Sequence, residues 1–182
     1  GHRIIGYYST TYGSPLFSSN YGTIRNLGLV DVSLRSQYRT TNEKVAEDTL
    51  GALVGTNGGL IQSCYLEDVY VSISVDMDSE YPVGVFSRAY AGGFAAKNTG
   101  TIRDCYIIGG DFYAYSSASA EGPVTEAVSY AYAGGIAGYN SNQGSVERCY
   151  IKDVSTYASG RYTYKSVICG SNNGSISGCY CT

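Results

Sequence analysis

Four residue types in this chain carry the chemistry from which a site can be built. The single histidine, His2, stands in "GHRII". A catalytic zinc centre takes three protein ligands, so His2 reads as a segment-end residue and not a ligand. Of the six cysteines, Cys64, Cys105, Cys149 and Cys179 are separated by 41, 44 and 30 residues. That spacing lacks the paired C-x2-C hooks of a zinc site, and "CYC" at Cys179 to Cys181 is too tight to supply one. No cofactor is expected. Among the acids, "DMDSEY" sets Asp76, Asp78 and Glu80 at alternate positions. These are oxygen donors of the kind Ca2+ takes, but without the glycine and spacing of an EF-hand loop, and a solvated loop is the competing reading. Asp31, Asp68 and Asp153 are candidates for general acid–base work, but they recur in register at a bend and read more simply as turn-capping residues.

Tyrosine is the fourth type, with 20 copies. Tyr65, Tyr106, Tyr150 and Tyr180 each follow a cysteine, while "RAYAGG" and "SYAYAGG" set Tyr90 and Tyr132 at matching points, with Tyr130 one alternation earlier. Tyrosine offers a rigid apolar face and a polar tip, the mixture found at recognition surfaces. Tyr65, Tyr106, Tyr150, Tyr90 and Tyr132 are therefore the candidate contacts for a glycan or a host-surface protein. The alternative is that they stabilise a sheet by cross-strand pairing, at ~0.2–1 kcal/mol per pair.

The elements that hold these residues follow from a repeat. "NTGTIRDCYI" from Asn98 recurs as "NGGLIQSCYL" from Asn57, "NQGSVERCYI" from Asn142, "NNGSISGCYC" from Asn172 and "NYGTIRNLGL" from Asn20. A short apolar strand precedes each copy and ends at Asn20, Asn57, Asn98, Asn140 or Asn172. The repeat glycines, Gly22, Gly59, Gly100, Gly144 and Gly174, lie 37, 41, 44 and 30 residues apart. Downstream, alternate residues are apolar until a three-residue step, at Leu29 to Val32 and Leu66 to Val69, which marks a bend onto another strand. The reading is all-β, a parallel β-solenoid of about five turns and roughly three strands per turn, in one domain over residues 1–182. Residues 1–13 supply a partial turn. Copies start near 14, 51, 92, 134 and 166, the last incomplete.

Stacked turns bring equivalent positions about 4.8 Å apart. The five asparagines then form an amide ladder, and each Asn-x-Gly turn uses glycine for positive φ. The ladder cysteines Cys64, Cys105, Cys149 and Cys179 fall within Cα range of a disulfide. Their Cβ atoms, however, also sit near ~4.8 Å, where a bridge wants about 3.8 Å, so buried reduced thiols are expected. Cys169 and Cys181 face inward by register, in a state left open. Variable excursions at residues 35–50, 76–90, 111–130 and 155–166 interrupt the turns. In the first of these, Asn42 to Leu50 has the composition of either a short helix or plain loop.

Composition excludes several functions. Fifteen acidic and twelve basic residues give a net charge of −3, and no run of Lys or Arg offers a nucleic-acid surface. No apolar run approaches the ~18 residues of a membrane span, so membrane insertion is not expected.

"GGFAAKNTGTIRDCY" and "GGIAGYN…GSVERCY" resemble the GLUG repeat, a Gly-rich unit of bacterial surface proteins and adhesins and of the N-terminal regions of IgA-cleaving metalloproteases. The likeness covers four full copies and part of a fifth. It implies a secreted or surface-displayed bacterial β-solenoid that acts as stalk, spacer or adhesive surface. The protease activity does not carry over, because that chemistry needs an H-E-x-x-H helix and the chain has one histidine. The first copy departs in having Pro15, and Leu27-Gly28 where the others have Cys-Tyr.

The functional expectation is a non-enzymatic structural or adhesive module, extracellular or at the cell surface. Its flanks are either further repeats of the same chain or other copies joined end to end. The alternative is a carbohydrate-active or ligand-binding β-helix with its site in the excursions, although no Lys or Arg recurs in frame with the acids to support a lyase.

Overall fold

Period-2 alternation of β-branched and aromatic residues with small polar ones dictates strands with one buried face. In the computed structural model, which describes residues 2–41, 43–79, 84–120 and 126–182, strands make up every regular element. A partial turn is formed by β1 (His2–Ile5) and β2 (Tyr8–Ser9). The first full turn is β3 (Phe17–Asn20), β4 (Thr23–Arg25), β5 (Leu27–Thr40) and β6 (Val45–Gly51). The second is β7 (Val54–Asn57), β8 (Leu60–Gln62), β9 (Tyr65–Ser79) and β10 (Val85–Gly92). The third is β11 (Ala95–Asn98), β12 (Thr101–Arg103), β13 (Tyr106–Ala120) and β14 (Ala127–Gly134). The fourth is β15 (Ala137–Asn140), β16 (Ser145–Glu147), β17 (Tyr150–Ser159) and β18 (Tyr162–Ser166). A fifth opens with β19 (Cys169–Asn172), β20 (Ser175–Ser177) and β21 (Tyr180–Cys181).

Equivalent strands pair in parallel across turns and build four sheets, in the orders β1-β5-β9-β13-β17-β21, β18-β14-β10-β6, β19-β15-β11-β7-β3 and β20-β16-β12-β8-β4. The chain is thus a parallel β-solenoid. Ile24, Ile61, Ile102, Val146 and Ile176 lie over one another in a single column. Exposure is 0% at Ile61, Ile102 and Val146 but 37% at Ile176. Each turn therefore gains its burial from the turn on either side, at ~1.5–3 kcal/mol per large aliphatic side chain.

Each turn has four strands instead of three, because the regions read as loop excursions are largely strand. Alternation in "YLEDVYVSISVDMDS" continues unbroken through β9, which buries Val71, Ile73, Val75 and Met77 on the inner face. The chain then returns along the fourth sheet, whose Ala46, Leu50, Val85, Ala89, Ala91, Ala131 and Ala133 close the core from the opposite side. Helix-like chemistry between Asn42 and Leu50 gives way to this pairing. Val45–Gly51 is extended against Phe86–Gly92 in parallel register, with Ala46 and Leu50 buried, and Asn42 lies outside the described residues. Ladder hydrogen bonds and two buried apolar side chains outweigh a helix propensity spread of only ~0.7 kcal/mol per residue.

The three-residue step is a single left-handed residue inside a continuous strand. Asp31, Asp68 and Asp153 have φ of 54°, 52° and 52°, and Gly109 has 70° at the same register. Aspartate tolerates this conformation better than most residues, so its recurrence reflects backbone geometry. A second left-handed corner runs through Asn26, Ser63, Asp104, Arg148 and Gly178.

The glycines of the repeated phrase do not have positive φ. Gly59, Gly100, Gly144 and Gly174 are required by close approach instead, whereas Gly22 on the first turn has nothing nearer than 4.0 Å to a Cβ. A Cβ at Gly59 would lie 2.1 Å from the Gly22 carbonyl oxygen, and one at Gly100 2.1 Å from that of Gly59.

At the fourth turn the inward register changes character. Thr156 takes the place of Phe112, while Thr163 and Lys165 take those of Ala131 and Ala133. Both Thr163 and Lys165 are exposed.

Candidate recognition surface

The asparagine ladder holds the turns in register. Asn20 Nδ2 donates to Asn57 Oδ1 (2.8 Å), Asn57 to Asn98 (2.8 Å), Asn98 to Asn140 (2.8 Å) and Asn140 to Asn172 (2.7 Å). Asn57 and Asn98 also donate to the carbonyl two residues on, Asn140 to the one four on across its two-residue insertion, Asn20 to Leu60 O of the next turn, and Asn172 ends the run on Gly174 O at 3.2 Å. Asn57, Asn98 and Asn140 are 0% exposed. Their hydrogen bonds point at one another and at backbone, which leaves nothing for a ligand.

The cysteines form a second inner column. Cys64, Cys105, Cys149 and Cys169 are buried thiols, Cys179 is half-buried and Cys181 is exposed. The thiols of Cys64, Cys105 and Cys149 donate to the carbonyls of Gln62, Arg103 and Glu147. Hydrogen bonds to Cys149 and Cys64, together with burial, hold the Cys105 thiol well above its ordinary value. Those contacts favour charge on Cys64 and Cys149 at its expense, but a thiolate at either would lie in a dry apolar column, so the ladder as a whole resists ionisation. Burial pushes Cys169 up to about 12. Cys181 lies at the inward register of Ile151, yet no described strand lies beyond it to cover it.

Three sets of tyrosines face outward. The first begins the long strands, with Tyr65, Tyr106, Tyr150 and Tyr180 in one register. Tyr65 and Tyr106 stack at 5.1 Å and 6°, and Tyr150 and Tyr180 at 5.9 Å and 12°. The row ends at Gly28, the register partner of Tyr65, where a Cβ would lie 2.1 Å from the Tyr65 Cζ. Glycine replaces tyrosine in the first copy because the next ring lies across its backbone.

The second set lies on the fourth sheet. Tyr90 stacks on Tyr132 at 4.6 Å and 3°, Tyr132 on Tyr164 at 4.9 Å and 8°, and Tyr130 on Tyr162 at 5.2 Å and 19°. Tyr139 meets Tyr90 and Tyr132 edge-on. Tyr90 itself is 7% exposed, with the Lys97 ammonium 4.3 Å from its ring centre. It is thus packed away beneath Lys97 and Tyr139 and is no contact residue, a correction to the sequence reading. Lys97 and Arg88 both pair with Glu47. Burial, followed by the neighbouring Tyr164, pushes the Tyr132 phenol up to about 12. Close face-to-face stacking uses up the ring faces of these two sets and leaves edges and hydroxyls outward.

The third set is not among the candidate contacts read from sequence: Tyr113, Tyr115 and Tyr157 fall in supposed excursions, and Tyr70 precedes one of them. Tyr113 and Tyr157 are register partners on the outer face of the long strands, and Tyr70, the partner of Asp111, meets Tyr113 diagonally at 5.5 Å; Arg35 lies 4.9 Å from the Tyr70 ring and Lys165 5.9 Å from the Tyr157 ring. These rings are tilted by 38° and 44°. Tyr115 lies beside Tyr113, parallel within 1° at 6.4 Å. The signal was present in "DFYAYSS", whose alternation continues that of the preceding strand residues.

Next to this set is a groove of about 350 Å3 lined by Arg39, Asp76, Met77, Asp78, Ser117 and Ser119. Asp76 accepts from Ser117 Oγ at 2.6 Å and from Ser74 Oγ at 3.1 Å, and Asp78 accepts from Ser119 Oγ. Glu80 of the Asp76, Asp78, Glu80 trio lies outside the described residues. Among the described residues no three His, Cys, Asp or Glu side chains converge to hold a metal ion. A second groove, of similar size, joins His2 to Asn26, Ser63 and Tyr65.

Four parallel sheets wound about one core, with residue ladders inside and tyrosine rows outside, define the chain as a parallel β-solenoid. Comparison of its sequence and structure with family models, curated proteins and solved structures finds no match.

Proposed function

We propose that this chain is a non-enzymatic structural and adhesive repeat module of a secreted or surface-displayed bacterial protein. The observation that carries the reading is the placement of tyrosines in register on the outer faces of successive turns, where Tyr157, Tyr162, Tyr164 and Tyr180 stay exposed, with Tyr115 exposed beside them. A scaffold fixed by buried amide and thiol columns presents these side chains rigidly, so contact with a partner costs little ordering entropy. The likeness of the repeated phrase to the GLUG unit supports the extracellular setting. The partner class is a glycan or a surface protein.

The alternative, a carbohydrate-active β-helix, rests on the Asp76 and Asp78 groove. The experiment is to measure adhesion of labelled protein to a glycan array and to cell surfaces, alongside release of reducing ends from the bound glycans. Adhesion without release is the expected result. Release of sugar would replace the reading with the catalytic one, and absence of any adhesion would remove the adhesive half of it.

A further inference from the structure

We propose that the outer face of the long-strand sheet holds a binding groove for a neutral hexopyranose unit of a glycan chain, with Tyr115 as its stacking surface and Asp76 as its hydroxyl acceptor. This deepens the adhesive reading and rests on it. Tyr106 is stacked by Tyr65, and Tyr132 has Tyr90 on one side and Tyr164 on the other. Tyr115 differs. Its register partners are Ser74 on β9 and Ser159 on β17. Tyr157 leans on it from the β17 side, at 5.5 Å and 44°. On the β9 side the register neighbour is a serine, no ring stacks there among the described residues, and Tyr115 is 37% exposed. The C–H face of a pyranose packs against such a ring in the way other apolar surfaces do.

Two residues further along the same strands stand Asp76 and Ser117, paired in register, with Arg39 as the β5 partner of Asp76. The serine hydroxyls of Ser74 and Ser117 fix the Asp76 carboxylate by donating one hydrogen bond to each oxygen. An ionised carboxylate has about four lone-pair sites, so two remain for ligand donors. Arg39 makes no ion pair among the described residues and adds donors on the opposite wall. A sugar with adjacent hydroxyls matches that acceptor–donor pair. Among the described residues that line it, two carboxylates, Asp76 and Asp78, against one guanidinium leave the groove net negative. Uronates and sulfated sugars are therefore repelled, and an uncharged chain is selected. The groove volume of about 350 Å3 sits at the small end of ligand sites.

The test is titration of 15N-labelled protein with three neutral probes, cellohexaose, mannohexaose and chitohexaose, and one anionic probe, hexagalacturonate. At least one neutral hexasaccharide should shift the amides of Ser74, Asp76, Tyr115 and Ser117. Tyr115→Ala should weaken that binding about tenfold or more. Tyr115→Phe, which keeps the ring, should retain it, and Tyr21→Ala, an exposed ring outside these sets, should leave it unchanged. The proposal is overturned if no neutral probe shifts these amides, if the shifts map to another face, if hexagalacturonate binds as tightly, or if Tyr115→Ala binds normally. Adhesion of the whole protein that survives Tyr115→Ala and Asp76→Asn would sink the groove while leaving the adhesive module standing. Loss of adhesion in both variants, with the amide spectrum otherwise native, supports the groove.

Discussion

Replacing Asn98 with alanine tests the claim that the amide column fixes the turns. Asn98 is 0% exposed and accepts from Asn57 Nδ2 while donating to Asn140 Oδ1, both at 2.8 Å, and to the Gly100 and Ser145 carbonyls at 3.1 and 3.3 Å. Alanine removes the two ladder bonds at ~1 kcal/mol each and orphans the buried Asn140 oxygen, which adds ~1–3 kcal/mol, for a total of about 3–5 kcal/mol. Asn57 Nδ2 keeps its contacts to Gly59 and Thr101 carbonyls, at 3.3 and 3.4 Å, so the loss on that side is partial. Asn172→Ala provides the internal comparison. It sits at the exposed end of the column and gives up one ladder bond from Asn140 and the contact to Gly174 O, so about 1 kcal/mol is expected. Urea denaturation of both variants, read by circular dichroism, measures the difference, and amide exchange at Asn57 and Asn140 localises it. Equal costs for Asn98→Ala and Asn172→Ala, or a cost below about 1 kcal/mol for the former, would show that the column is not what holds the turns.

Gly100→Ala should destabilise by about 1–3 kcal/mol or more, since its Cβ would meet the Gly59 oxygen at 2.1 Å; a neutral effect in thermal melts would mean that the turns are not this close. A thiol reagent should modify exposed Cys181 first and leave Cys64, Cys105, Cys149 and Cys169 intact until denaturant is added, when all six react. Two or more disulfides in the intact mass would contradict this. Stability should fall as pH rises from about 10 toward 12, because unfolded tyrosine ionises near ~10 while Tyr132 in the folded chain keeps its proton to about 12. The phenolate absorbance of the native protein, followed beside the denaturation midpoint, checks this, and a midpoint constant over that range would refute it.

The stacked architecture was legible because the repeated phrase sets the same residues at the same corner of every turn. Asn57, Asn98 and Asn140, or Ile61, Ile102 and Val146, align without reference to anything between them. The fourth sheet was not legible in the same way. Its connections differ in length from copy to copy, and β6 carries the helix-like "AEDTL", so only pairing with β10 decides its conformation. Treating "YTYKS" as a loop hid both the outward Tyr162 and Tyr164 and the polar Thr163 and Lys165 at inward positions. Positive φ was assigned to the wrong residues. Gly59, Gly100 and Gly174 are fixed by an overlying carbonyl, and the left-handed residues are Ser63, Asp104 and Arg148 a few places later, types whose tolerance for that region is too common to mark them in advance. Tyr90 and Tyr132 occupy one register but differ in surroundings, because Lys97 covers the first. That difference arises from a side chain on a neighbouring sheet, which no spacing within the strand encodes.

Every amide in the asparagine column donates toward the next turn, never back. Their dipoles consequently add along the axis and give the barrel of turns an electrical polarity, with an acceptor end at Asn20 and a donor end at Asn172. Turning any single carboxamide over would set nitrogen against nitrogen on one side and oxygen against oxygen on the other. The group must reverse together or not at all, so these side chains store a sense of direction that no one repeat could keep alone.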